Sequence, residues 1–188
     1  MKETLRVMIV PCMGEPYEKV LEADPSGSLL AALQDCVGGC IEPMPFVFDD
    51  EPSVYCNENG KLDPSCRPNR AIFVTQDMAA AGWASPSDPM RPAEVGELLD
   101  VAYGDLVCVG FDPETGCDRD ISDKEMARIR DRFGGTASIM SGEVAAAAIK
   151  AASARRSPQA VADAARAAAV MGSKDAIEGK VSLSGPTP

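Results

Sequence analysis

The sequence predicts an α+β fold: a mostly antiparallel sheet of about five strands with a helix packed across it, followed by alanine-rich helices. Three observations predict it. Short β-branched runs bounded by Gly and Pro recur before residue 112. Two amphipathic segments with recognisable ends, near 28–39 and 122–135, interrupt or follow those runs. After about residue 137 alanine dominates and aromatic residues vanish. The chain therefore divides into an α+β domain at 1–136 and a helical tail at 137–188.

The elements follow in order. Leu5 to Val10 is β-rich and stops at Pro11, and Cys12 to Pro16 turns into a second strand at Tyr17 to Glu22. This hairpin followed by a helix is compatible with a β-grasp-like arrangement. Ser28 is a candidate N-cap for a helix whose apolar face is Leu29, Leu30, Leu33 and Val37, and Gly38-Gly39 stops it. Cys40 to Phe48 reads as extended, and Asp49 to Pro52 as an acidic bend. Ser53 to Asn57 is a strand, and Asn59-Gly60 predicts a hairpin returning through Lys61-Leu62. Arg70 to Val74 fits either strand or helix. Residues 76–96 form a long connection of the kind that carries function. Glu97 to Ala102 and Leu106 to Phe111 are strands, the second continuously apolar and therefore central. Ser122 and Glu125 form a capping box that opens a helix with Met126, Ile129 and Phe133 on one face. In the tail, Ser141 opens one helix to about Arg155, and Ser157-Pro158 opens another that ends at Gly172. Alanine favours helix but buries little area, so weak docking and a disordered end from Val181 are expected.

Charge narrows the function classes. The net charge is −11, and residues 1–136 alone carry −13 while residues 137–188 carry +2. So acidic a body repels phosphate backbones, which argues against direct nucleic-acid binding. No signal peptide and no run long enough to span a membrane is present, so a cytoplasmic location is expected. The 7 cysteines are then expected to be reduced. The chain contains 0 His, which removes Ser-His-Asp and Cys-His nucleophile systems and every imidazole zinc site.

Four segments together resemble the DUF3846 family of bacterial and phage proteins. They are the Leu5 to Pro11 strand with its turn; Leu33 to Glu42 (LQDCVGGCIE); Cys56 to Lys61 followed by Pro68 to Ala71; and Gly104 to Gly110 leading to the helix at Ser122. The resemblance spans roughly residues 5–134 and leaves out the tail. It implies an accessory role on a mobile element or phage-derived region and transfers no catalytic residue. It also implies that Cys40, where relatives tend to carry a larger side chain, is a tolerated core replacement.

Candidate chemistry is sparse. The spacings Cys36-x3-Cys40, Cys56-x9-Cys66 and Cys108-x8-Cys117 contain no Cys-x-x-Cys pair, so buried inert thiols are expected, with no metal and no cofactor. Cys66 has Arg67 beside it as a possible activating cation, yet a solvated loop thiol is the simpler reading. The acidic loops at Asp49 to Glu51 and Asp112 to Asp120 fit no calcium-loop pattern. No phosphate-cradling glycine motif occurs. Asn57, Asn59, Asn69 and Arg70 cluster around one predicted hairpin and loop. They are the candidate binding surface, set against ordinary turn and capping roles. The expected function is a non-enzymatic accessory module that binds a protein partner, a basic one by charge complementarity, with mimicry of nucleic acid as its sharpest form. The alternative is a small-ligand or metal-binding domain, or an enzyme, using a carboxylate or cysteine pocket.

Overall fold

A computed structural model describes residues 4–48 and 51–155. The chain forms two compact units, Met1–Ala146 and Ala147–Pro188. The first begins with the strands β1 (Thr4–Val10) and β2 (Tyr17–Glu22), then helix α1 (Leu30–Val37). Strands β3 (Ile41–Pro43) and β4 (Ser53–Asn57) follow, then β5 (Pro68–Phe73), α2 (Gln76–Ala80), β6 (Leu98–Tyr103), β7 (Leu106–Asp112), β8 (Cys117–Arg119), α3 (Asp123–Phe133) and α4 (Thr136–Arg155).

A six-stranded sheet runs β2-β1-β7-β4-β3, with β8 paired to β7, and β5-β6 forms a separate ribbon. The α+β class and the mostly antiparallel sheet are as the sequence predicts. All the strand pairings are antiparallel, including β1 with β7 at the centre. A β-grasp sheet has a parallel central pair, so the likeness to that subtype stops at the hairpin-helix order. β7 is central, and its continuous apolar run is explained by burial on both faces. Val107 and Val109 join Leu5, Val7, Ile9 and Leu21 beneath Leu33 and Val37 of α1. Leu106 and Cys108 join Met8, Val10 and Val54 on the opposite face, beneath Met126, Ile129 and Phe133 of α3 and beside Ile72 and Ala102 of the ribbon. Each fully buried aliphatic side chain contributes about 1.5–3 kcal/mol relative to exposure.

Several local expectations are corrected. Leu29 is the N-cap of α1, and Ser28 Oγ accepts from the Leu30 amide at 3.2 Å. Only Ile41–Pro43 is extended within 40–48, because Pro45 starts a 3-10 turn through Val47. Asn59-Gly60 is a turn with no returning strand: β4 pairs with β3 and β7, leaving no edge for Lys61-Leu62. Gly104, at φ 73°, separates β6 from β7 and lets the chain pass from ribbon to sheet.

The start of α4 belongs with the first unit. Ser141 Oγ accepts from the Ala71 amide at 3.1 Å, and Ala145 is buried against Ala71 and Val101. A Cβ on Gly142 would sit 2.5 Å from the Asn69 carbonyl oxygen, so only glycine permits this approach to β5. Composition changes near residue 137, but these contacts extend the compact unit to Ala146. Helix α4 also begins at Thr136, ahead of Ser141. In the second unit, residues 147–155 continue as helix. The expected second tail helix, its end at Gly172, the disordered terminus and Asp49-Asp50 of the acidic bend lie outside the described residues. No helix among the described residues is long and apolar enough to cross a membrane.

Candidate functional site

The four residues singled out by sequence have different fates. Asn57, Asn69 and Arg70 are buried, at 6 %, 0 % and 0 % exposure, and Asn59 alone is exposed. They therefore do not form a shared surface. Asn57 Nδ2 donates to the Gly38 carbonyl at 3.1 Å while its Oδ1 accepts from the Asn59 amide at 2.9 Å. It ties the end of α1 to the turn after β4. A Cβ on Gly39 would lie 2.7 Å from its amide nitrogen, which accounts for the second glycine after α1.

Asn69 Nδ2 donates to the carbonyls of Val10 and Gly104, at 2.9 and 2.7 Å. Its Oδ1 accepts from Arg70 Nη1 at 2.7 Å. Arg70 also donates from Nε to the Phe133 carbonyl at 3.1 Å, from Nη1 to Pro11 at 3.2 Å and from Nη2 to Gly14 at 3.2 Å. One guanidinium thus gathers the end of β1, the β1–β2 turn and the C-terminal carbonyl of α3. Burial lowers its pKa. The polar cluster is a buried clasp, and turn and capping chemistry accounts for it.

The sulfur chemistry offers little reactivity. All seven cysteines are free. Cys108 is buried as expected; Cys12, Cys36, Cys56 and Cys66 are half-buried, while Cys40 and Cys117 are exposed. Cys40 follows the glycine cap of α1 at the sheet margin, so it is not a core replacement. Burial and Asp105 push the Cys12 thiol up to about 11, and burial and Glu42 do the same to Cys56. Cys66 is also raised, by burial and Asp63. Arg67 does not offset this: its guanidinium engages Glu143 at 2.7 Å. Among the described residues no group of three or more Cys, Asp or Glu is placed to hold a metal ion.

Several acidic loops hold themselves in shape. Asp24 accepts from Ser26 and Ser28, Asp63 from Ser65, and Asp112 from Glu114 and Thr115. These bonds, led by the serine or threonine hydroxyls, lower all three carboxyl pKa values. In the 76–96 connection, Glu97 accepts from Ser85, Ser87 and Arg91, which staples the loop.

What remains is a cleft where the β3–β4 margin faces β6. Its volume is about 120 Å³. Val101 and Ala102 form buried floor, Met44, Phe46 and Tyr103 supply further apolar lining, and Glu42, Glu58, Lys61 and Asp100 supply charge. Glu42 reaches it because β3 pairs Glu42 opposite Cys56. Glu58 and Lys61 reach it because the turn beginning at Asn57 folds across the strand ends. Lys61 Nζ lies 2.7 Å from both oxygens of Asp100. With its lysine 58 % exposed, this pair contributes only about 0.2–1 kcal/mol. Three carboxylates thus face a single cation across an apolar floor. In the sequence Glu42 and Glu58 stand out only within the resembling segments, Lys61 also as the predicted hairpin return, and Asp100 only as part of a strand. Their convergence requires β6 to leave the sheet and pair with β5, which no local pattern signals.

No curated protein and no solved structure matches the chain. The family model described as a domain of unknown function, DUF3846, matches residues 5–134, from β1 to the end of α3, and the chain belongs to that family.

Proposed function

We propose that this protein is a non-enzymatic interaction module whose cleft receives a cationic side chain of a basic protein partner. The observation that carries this reading is the lining: Glu42, Glu58 and Asp100 against Lys61 alone, above apolar floor. A lysine or arginine stem would cover the half-buried Phe46 and Tyr103 while its head displaced Lys61 from Asp100. The thiol of Cys56, raised to about 11, stays protonated near neutral pH, so it favours binding over nucleophilic chemistry in this cleft. An accessory role on a mobile element and a cytoplasmic location belong to the same proposal, supported by family habit and by seven free thiols. Mimicry of nucleic acid gains no support, because Asp24, Asp63 and Asp112 sit on separate loops and serve those loops.

The test is fluorescence anisotropy of labelled peptides bearing one Arg or Lys between apolar residues, titrated with the full chain. Glu42→Gln with Glu58→Gln is expected to weaken binding about tenfold, and raised salt should narrow that difference. Equal binding by the wild-type and double-variant chains would refute the cleft as the site.

A further inference from the structure

One helix face departs from the charge of the rest of the body. Lys124, Arg128 and Arg132 recur every four residues along α3. In an α-helix that spacing places them on one stripe, about 6 Å apart per step. None of the three takes part in an ion pair among the described residues. The nearby Glu125 carboxylate is occupied by Arg119 and Ser122.

The two guanidiniums are held in place. Arg128 and Arg132 lie 5.4 and 5.2 Å from the centroid of the same buried ring, Phe48. Phe48 is itself fixed edge-on to Phe133, at 5.7 Å. Arg128 also donates to the Glu51 carbonyl. Burial lowers the Arg132 pKa, and the neighbouring Arg128 lowers it further, so the two cations repel each other. Stacking on Phe48 offsets part of that repulsion. An anion laid across both would offset more. Beside Arg128, a concavity of about 180 Å³ is lined by Arg119 and Lys124 together with Glu51, Ser122 and Glu125, and Arg119 is already paired with Glu125 there.

We propose that the Lys124, Arg128 and Arg132 face of α3 is an interaction surface for an extended acidic segment of a protein partner. In an extended strand, alternate side chains point the same way about 6.8 Å apart, close to the step along the helix stripe. Carboxylates at alternate residues can therefore meet successive cations, with the planar guanidiniums taking them in bidentate geometry. The net −13 of residues 1–136 opposes any long polyanion, so the stripe suits a short acidic segment and not a nucleic-acid strand whose phosphates continue beyond it. The proposal is independent of the cleft.

The test uses the full chain and a labelled peptide alternating Glu with Ser, followed by anisotropy at low salt. Wild-type protein is expected to bind it, and Arg128→Gln with Arg132→Gln to lose about tenfold in affinity. Arg130→Gln, on another face of α3, should leave binding within about twofold. Arg128→Lys with Arg132→Lys retains the charge and should recover part of the affinity, which separates charge from misfolding. E42Q with E58Q should change nothing. Equal losses with Arg130→Gln, or no binding at all, would overturn the proposal. So would tighter binding of a single-stranded oligonucleotide of equal charge. Binding that appears only after Glu51→Gln would overturn it too, since the chain's own carboxylate would then be the occupant.

Discussion

Replacing Arg70 by Met tests whether the buried clasp holds the first unit together. The substitution keeps an unbranched apolar stem in the 0 % exposed site but removes every donor. Five acceptors lose a partner: the carbonyls of Phe133, Pro11, Gly14 and Asn69, and Asn69 Oδ1. The bonds to Pro11 and Gly14 are only part-buried, so water can replace them. Those to Phe133 and Asn69 are buried, and each acceptor left unpaired costs about 1–3 kcal/mol. Relief from desolvating the guanidinium offsets some of this. The net expectation is a loss of about 2–4 kcal/mol. Arg70→Lys should lose a comparable amount, because one ammonium cannot span the fork from β1 to α3. Urea unfolding followed by circular dichroism reads both, with the midpoint falling and the slope unchanged. A loss below about 0.5 kcal/mol for Arg70→Met would refute the reasoning and mark the carbonyls as satisfied without it.

Two further outcomes are expected. Gly142→Ala puts a methyl group into the Asn69 backbone and should lift α4 from β5, so the Ala71 amide would exchange with deuterium faster, at a stability cost of about 1–3 kcal/mol; unchanged exchange at Ala71 would contradict the docking. Glu97 is held down to about 2 by bonds from Ser85 and Ser87 and by Arg91, against 4.5 for an ordinary glutamate. A depressed carboxyl pKa stabilises the fold above the unfolded value and loses that contribution as pH falls towards the folded one. Glu97→Gln should therefore flatten the acid limb of thermal stability between about pH 4.5 and 2, and identical limbs would contradict the assignment.

Some strands have their burial written in local pattern. β1, β4 and β7 are runs whose apolar residues specify their faces, and α3 carries its own capping box and stripe. The family was legible too, because glycine, cysteine and turn residues at fixed offsets leave a local trace. Where the polar residues point depends on long-range packing instead. Arg70 reads as a surface cation, yet a buried guanidinium is tolerable once backbone carbonyls from two distant segments, the β1–β2 turn and the end of α3, converge on it. Asn59-Gly60 reads as a hairpin, but a turn specifies no strand when both edges of β4 are already taken. The cleft and the α4 contact depend on β6 pairing away from β7 and on a glycine meeting a strand edge. Such long-range contacts are absent from the local sequence, because they are set by which surfaces remain unpaired after the core has formed.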